Sequence, residues 1–379
     1  MLLDFIVWDI NPRIFSINGW GPVWYGLLFA SAFLIGQQIL FYIYRKDGKP
    51  DSDVEIITIY AVIATIVGAR LGHVLFYDWD VYSKNPIEIL KIWKGGLASH
   101  GAIIPFLVAV WLYTRRKKDQ SFLWVLDRIV ITVAVGGALI RMGNLMNSEI
   151  YGKASDVPWA FVFALPEGME SHIEEIADEE VGKEKLKNVK VHKISDAISE
   201  KEVHGEKAKY IPIRYEFDFD KRKVDTLQAK AATETLIKSI WAYPSFAENI
   251  IIDENSLNPK FYVDGDHTVC EFQAYGKLRQ PTQIYEALFC IFLFGVTFWL
   301  WNKKRNILPS GVILAVFLIL LFSFRIAVEF LKKEQVEKEK DIIESIGLNI
   351  GQLLSIPAIL LGVIILIIAF LNKNKKLNA

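Results

Sequence analysis

Apolar residues along this chain gather into long runs, separated by short charged loops and by one extended polar stretch. Seven runs approach the length of about 20 residues that a helix needs to cross about 30 Å of hydrocarbon while satisfying its own backbone. They predict helices near Trp20 to Tyr44, Val54 to Tyr77, Leu97 to Tyr113, Phe122 to Met146, Gln283 to Trp301, Leu308 to Leu331 and Ile350 to Leu371. The loops after the first, third, fifth and seventh runs read YRKDGKPD, TRRKKDQ, NKKRN and NKNKKLNA, all dominated by Lys and Arg. The opposite loops are mixed in sign or long, so the basic set belongs in the cytoplasm. This pattern predicts an all-α polytopic membrane protein with seven transmembrane helices, its N-terminus outside and its C-terminus cytoplasmic.

The polar stretch joins the fourth and fifth spans on the outer side. The expected organisation is residues 1–163 for spans one to four, 164–279 for an inserted extracytoplasmic domain, and 280–379 for spans five to seven of the same membrane domain. Within the insert, YIPIRYEFDF alternates as a strand does, KFYVDGDHTVCEF reads as a hairpin, and DTLQAKAATETLIKSIW reads as a helix, together an α+β module. The run HIEEIADEEVGKEKLKNVK reads as a solvated helix or mobile loop. The N-terminal residues lack the basic and apolar regions of a cleaved signal peptide, so the first span is expected to direct insertion.

Composition sharpens this picture little. The 379 residues are 52% hydrophobic with a net charge of +0, and their mean hydropathy is +0.27. No basic stripe suggests nucleic acid. The cysteines, Cys270 and Cys290, lie in a polar and an apolar environment, which argues against a disulfide; neither a metal-ligand spacing nor a nucleotide-binding loop is present.

Depth is more informative. With odd-numbered spans running inward, Tyr25, Arg70, His73, His100, Arg141, Asn144, Asn147, Glu149, Gln283, Glu286, Arg325 and Glu329 all fall near the outer leaflet. Ionisable groups at membrane depth cost about 2.5 kcal/mol or more each unless paired, snorkelling or facing water. Snorkelling accounts for single arginines near helix ends, but a polar cavity open to the outer leaflet accounts for the whole set. Two guanidiniums there suit an anionic headgroup, because planar Arg donors match phosphate oxygens. Glu329 lies four residues from Arg325 and could hold it in place. His100, among the glycines of GGLASHGA, reads either as a proton acceptor or as a hydrogen-bonded packing residue. His73 reads as packing or interfacial anchoring, and Asp127 and Arg128 as snorkelling or mutually paired.

These residues fall in motifs that resemble the prolipoprotein diacylglyceryl transferase family. The matching segments are WYG from Trp24, GARLGHVLFYD from Gly68, WKGGLASHG from Trp93, IRMGNLMNSEIYGKASDVPWAFVF from Ile140, RQPTQIYEA from Arg279, FRIAVEF from Phe324 and GQLLSIPAILLG from Gly351. The third and fourth are the specific ones. The resemblance implies a transferase in the bacterial cytoplasmic (inner) membrane with its active site toward the outer leaflet. It would move the diacylglyceryl group of phosphatidylglycerol to the lipobox cysteine of a preprolipoprotein, forming a thioether, releasing glycerol phosphate and using no cofactor. It implies catalytic roles for Arg141, Arg325 and His100, the arginines on the phosphate and the histidine as base. Tyr25, Arg70, Asn144, Glu149, Gly152, Gln283 and Glu329 are the candidates for substrate binding. The chain departs from the family pattern at Leu321, where tyrosine is common, at Lys153, where arginine is usual, and at Leu331 to Glu334, where the family often continues with arginine and a Pro-Asp pair. A lipid or anionic-solute transporter using the same arginines without chemistry is the rival reading. The apolar inner halves of the spans disfavour it. A silent scaffold that kept the fold would not need both arginines and His100.

Overall fold

The computed structural model describes residues 5–15, 21–91, 98–182, 185–203, 206–252, 259–333 and 347–377, without the side chains of residues 99, 100, 203, 206 and 374–377. Long apolar helices dominate it. Its helices include α1 (Trp24–Lys46), α2 (Asp51–Phe76), α3 (Ile103–Arg115), α4 (Phe122–Met146), α5 (Met169–Glu180), α6 (Thr226–Ala242), α7 (Pro244–Asn249), α8 (Thr282–Lys304), α9 (Val312–Glu329) and α10 (Ile350–Leu377). Six of these, α1, α2, α4, α8, α9 and α10, are long and apolar enough to cross a membrane, which marks a multi-pass membrane protein. The expected third span is represented by α3, whose 13 residues rise about 20 Å. A 3-10 turn, Ser99–Ala102, precedes it, and Leu97 lies outside the described residues.

The chain divides into two compact units. Met1–Phe29, Ile140–Ala287 and Ala327–Ile350 form the first; Ala30–Leu139, Leu288–Ile326 and Gly351–Ala379 form the second.

In the first unit a six-stranded antiparallel sheet is built around β5 (Glu206–Asp220), which pairs with β3 (Leu186–Lys193), β4 (Ser199–Val203) and β8 (His267–Lys277); β6 (Ile250–Ile251) and β7 (Lys260–Asp264) pair with β8. Alternation along β5 sends Ile211, Ile213, Tyr215, Phe217 and Phe219 into a core shared with Leu236, Ile237 and Ile240 of α6. Arg214, Glu216 and Asp218, between them, stay on the other face. The β7–β8 hairpin turns at Gly265, whose φ of 55° needs glycine's freedom. α6 starts at a capping box, in which the Gln228 backbone N donates to Asp225 Oδ1 at 2.8 Å. The acidic run becomes α5, with Met169, Ile173, Ile176 and Ala177 buried, followed by strand β3. The run read as a solvated helix or mobile loop thus begins in a helix with one buried face, because its few apolar residues recur at helical spacing. A short parallel pair, β1 (Ile6–Trp8) with β2 (Phe161–Phe163), ties the N-terminus to the same unit.

The second unit packs Leu40, Ile43, Tyr44, Val54, Ile57, Tyr113, Ile129, Leu293, Trp301 and Phe317 into its core. Leucines and isoleucines such as Leu34, Ile59, Ile63, Leu360 and Ile364 point away from that core and are more than half exposed, the arrangement lipid rather than water favours. Asp127 and Arg128 do not pair with each other. The Asp127 carboxylate accepts the backbone N–H groups of Gly311 and Leu314 at 2.7 and 2.8 Å, capping the start of α9. Arg128 lies 3.0 Å from Asp47 and over the Trp124 ring. Neither cysteine forms a disulfide, and one lies in each unit.

Candidate active site

The first unit's site starts at the end of α4. Helical spacing puts Arg141 and Asn144 on one face, and Arg141 Nη1 donates to Asn144 Oδ1 at 3.3 Å. Between them Gly143 meets the Tyr25 ring, so closely that a Cβ would come within 2.8 Å of it. Asn144 Nδ2 donates in turn to Glu149 Oε1 at 2.6 Å. Asn144 thus accepts from the arginine and donates to the carboxylate, using both ends of its amide. Burial pushes the Glu149 carboxyl above its ordinary range; the neighbouring Glu167 carboxyl pushes the same way, and the Asn144 bond opposes them.

The loop that follows is bent against its own preferences. Ser148 and Ile150 have φ of 51° and 58°, a region costly for a β-branched residue. Neighbouring segments hold it there. Gln283 Nε2 donates to the Glu149 carbonyl at 2.7 Å and Thr282 Oγ1 to the Ile150 carbonyl at 3.0 Å. Gly152 N donates to the Gln280 carbonyl at 2.9 Å, and Lys153 N to the Leu331 carbonyl at 2.8 Å. A Cβ on Gly152 would lie 2.8 Å from both Gln280 Cβ and the Leu331 carbonyl oxygen, so glycine is required by the close passage of three backbones. Below it Arg279, buried to 2% exposure, donates to the Gly152 carbonyl at 3.3 Å and to Glu248 at 2.8 Å, with its guanidinium over the Tyr151 ring.

Arg141 also begins a line of charges. Its Nε lies 3.2 Å from Glu286 Oε2, as an ion pair without hydrogen-bond alignment. Glu286 Oε1 takes Lys332 Nζ at 2.9 Å, Lys332 Nζ reaches Glu329 Oε1 at 3.4 Å, and Glu329 Oε2 accepts from Asn349 at 3.3 Å. Cations and carboxylates alternate, as burial demands.

Asn147 also belongs to the first unit, with its Nδ2 3.5 Å from Glu149 Oε1; the remaining expected residues lie in the second. Arg70 is buried, donates to the carbonyls of Ile89 and Glu88 at 2.8 and 2.6 Å, and stacks on Tyr82. These contacts brace the loop after α2. His73 pairs with Asp78 at 2.8 Å and stacks on Tyr77. The backbone of His100 lies in the Ser99–Ala102 turn; its side chain is outside the described residues. That turn is pressed on α2 at two glycines, since a Cβ on Gly72 would lie 2.5 Å from Gly101 Cα and one on Gly68 would lie 2.9 Å from the Gly101 carbonyl oxygen. Arg325 is half-buried in the last turns of α9.

The family described as prolipoprotein diacylglyceryl transferase matches residues 12–368, almost the whole chain. The chain belongs to this family. It is 34% identical over 370 residues to a Porphyromonas gingivalis protein named phosphatidylglycerol--prolipoprotein diacylglyceryl transferase, covering 97% of this chain and 96% of that one. A Chloroherpeton thalassium protein of the same name is 30% identical over 371 residues, with 96% and 94% covered. A Bacteroides fragilis protein, again so named, is 27% identical over 389 residues, with 100% and 99% covered.

Within this diacylglyceryl transferase, Tyr25, Arg141, Asn144, Glu149, Gly152, Gln283 and Glu329 come together in one unit, while Arg70, His100 and Arg325 belong to the other. Glu329 is engaged by Lys332 and Asn349, partners that its spacing from Arg325 did not suggest. Three structural participants escaped sequence reasoning: Arg279, Glu286 as the partner of Arg141, and Lys332 as the central cation. The available signal was an arginine at the polar edge of an apolar run beside Gln280 and Pro281, and a lysine just past an apolar helix.

Proposed function

We propose that this membrane transferase moves the diacylglyceryl group of phosphatidylglycerol to the cysteine thiol of a preprolipoprotein lipobox. The near full-length relation to the Porphyromonas gingivalis protein of that name carries the reading. In the reaction the thiol gives up its proton, and the thiolate attacks the glycerol carbon of the lipid that bears the phosphate ester. The carbon–sulfur bond forms as the carbon–oxygen bond breaks, and glycerol phosphate departs with the electron pair. Such a site must promote thiolate formation and neutralise the leaving phosphate. Arg141 and Arg325 are assigned to the phosphate, because forked guanidinium donors match its oxygens. His100 is assigned the thiol proton. Tyr25, Asn144, Glu149 and Gln283 position Arg141 and the substrate around it, Glu329 positions through Lys332, Gly152 shapes the surrounding backbone, and Arg70 holds the substrate through the loop it braces after α2. The hydrogen bonds from Arg141 to Asn144 and from Asn144 to Glu149 support this assignment.

The proposed topology has seven spans, with α3 and the turn before it as the third. The N-terminus is outside, the C-terminus cytoplasmic, and residues 164–279 form an extracytoplasmic domain of a bacterial inner-membrane protein. The test is incubation of the purified protein with phosphatidylglycerol micelles and a lipobox peptide, followed by peptide mass. A diacylglyceryl adduct is expected. Its absence, where an active family member modifies the same peptide, would refute the proposal.

A further inference from the structure

Beside the strained loop lies a cavity of about 560 Å³ with Ser148, Glu149, Glu167, Tyr243, Ser245 and Lys333 in its lining. One wall is the end of the Arg141–Asn144–Glu149 relay. The opposite wall comes from the turn ahead of α5 and the junction of α6 with α7, parts of the polar segment to which the transferase reading assigns no role.

The lining selects for hydrogen-bond donors and against anions. Glu149 and Glu167 contribute two carboxyls, whereas the cation, Lys333, is already bound by Glu248. A phosphate would meet like charge. The Ser148 hydroxyl is fully buried and has no partner among the described residues, a state that costs about 1–3 kcal/mol unless a ligand satisfies it. Tyr243 adds a hydroxyl that can donate as well as accept, and Ser245, whose hydroxyl donates to the Glu167 carbonyl at 3.5 Å, adds an acceptor. A polypeptide backbone offers both complements, N–H groups for carboxyls and C=O groups for hydroxyls. The cavity lies within the about 300–1,000 Å³ typical of ligand sites and is about 8 Å across, room for about two extended residues.

We infer that this cavity binds the acceptor polypeptide just beyond its reactive cysteine, holding the first residues of the mature lipoprotein while the thiol faces the relay from Arg141. The inference rests on the transferase reading. It gives the polar segment a function in substrate selection, in which small or donor-bearing residues fit after the cysteine.

Two acceptor peptides separate this inference from the reading beneath it. One ends at the cysteine as its amide, and the other continues for six residues. Ser245→Trp fills the cavity from the wall farther from Arg141. With the full-length protein in phosphatidylglycerol micelles, it should raise KM for the extended peptide about tenfold and leave kcat/KM for the truncated peptide within about twofold. An extended peptide with a photo-crosslinking residue directly after the cysteine should label residues 148–151, 167–168 or 243–245. Equal effects of Ser245→Trp on both peptides, no effect on either, or crosslinks confined to other segments would overturn the inference. If the unaltered protein modifies neither peptide, the transferase reading fails, and the crosslinks still report on the cavity.

Discussion

Lys332 is the centre of the buried charge line. Replacing it with methionine keeps most of the side-chain volume and removes the charge. The lysine ammonium sits 2.9 Å from Glu286 and 3.4 Å from Glu329, and the three side chains are 4%, 8% and 11% exposed. At an effective dielectric of about 20 each contact is worth about 5 kcal/mol before desolvation. Removing one partner of a buried pair costs about 3–5 kcal/mol net, because a charge is left uncompensated. Here Glu286 is left with Arg141 as its ion-pair partner, at 3.2 Å and without hydrogen-bond alignment. Lys332→Met should therefore lower stability by about 3–5 kcal/mol, a large share of the about 5–15 kcal/mol typical of a folded protein. Adding Glu286→Gln should recover at least half of the loss, since it removes the stranded charge, and Lys332→Arg should stay within about 1 kcal/mol of the unaltered protein. SDS titration of the purified protein in mixed micelles measures all four. If Lys332→Met lies within about 1 kcal/mol of the parent, or the double variant is the less stable of the two, the alternating line does not stabilise this site.

Arg141→Lys and Arg325→Lys should each reduce turnover about 10²–10³-fold, since a point charge cannot reproduce forked contacts at a developing anion; near-normal rates of peptide modification in both would contradict the phosphate assignment. Gly152→Ala should cost about 1–3 kcal/mol and most of the activity, because its Cβ would meet the Gln280 and Leu331 backbones; unfolding and turnover assays read both losses. Glu170 lies outside the spans, and burial followed by the charge of Glu174 pushes its carboxyl up to about 7, against the pull of Arg13. A raised carboxyl stabilises fully below its unfolded value of about 4.3, and that contribution is lost as pH rises through 7. Glu170→Gln should thus be more stable than the parent at pH 8, by about 1–2 kcal/mol after solvent screening, and equal to it near pH 4.5; the same difference at both pH values would refute the assignment.

Helices were legible wherever lipid-length apolar runs existed. The fourth run, Phe122 to Met146, coincides with α4. Other ends moved, as where α1 continues to Lys46 beyond Tyr44; the backbone ladder can extend while a basic side chain reaches for the headgroups. The third run is shorter as a helix because Gly101 lies against Gly72 and the chain there turns as a 3-10 segment. Period-two alternation made β5 readable. The parallel pairing of Ile6 with Phe161 was not, since no local pattern records a partner 155 positions away. The same limit governs the site. Depth could gather Arg141, Asn144, Glu149 and Gln283 at one level, but only tertiary structure shows that Glu286 faces Arg141 and that Arg279 supports Gly152.

The charge line bears on how Arg141 could receive a phosphate. An arginine locked in a bidentate buried pair would have to abandon a carboxylate to bind substrate, leaving that carboxylate uncompensated. Arg141 instead touches Glu286 at 3.2 Å without hydrogen-bond alignment and reaches Asn144 through Nη1 at 3.3 Å. Glu286 keeps Lys332 at 2.9 Å on its other oxygen. In the proposed reaction the lipid phosphate can therefore draw Arg141 away from Glu286 while Lys332 still balances the carboxylate, so the exchange avoids the desolvation penalty of a stranded anion. An uncharged residue at 332 would make Glu286 compete for Arg141, which links the stability of the empty site to its affinity for the lipid.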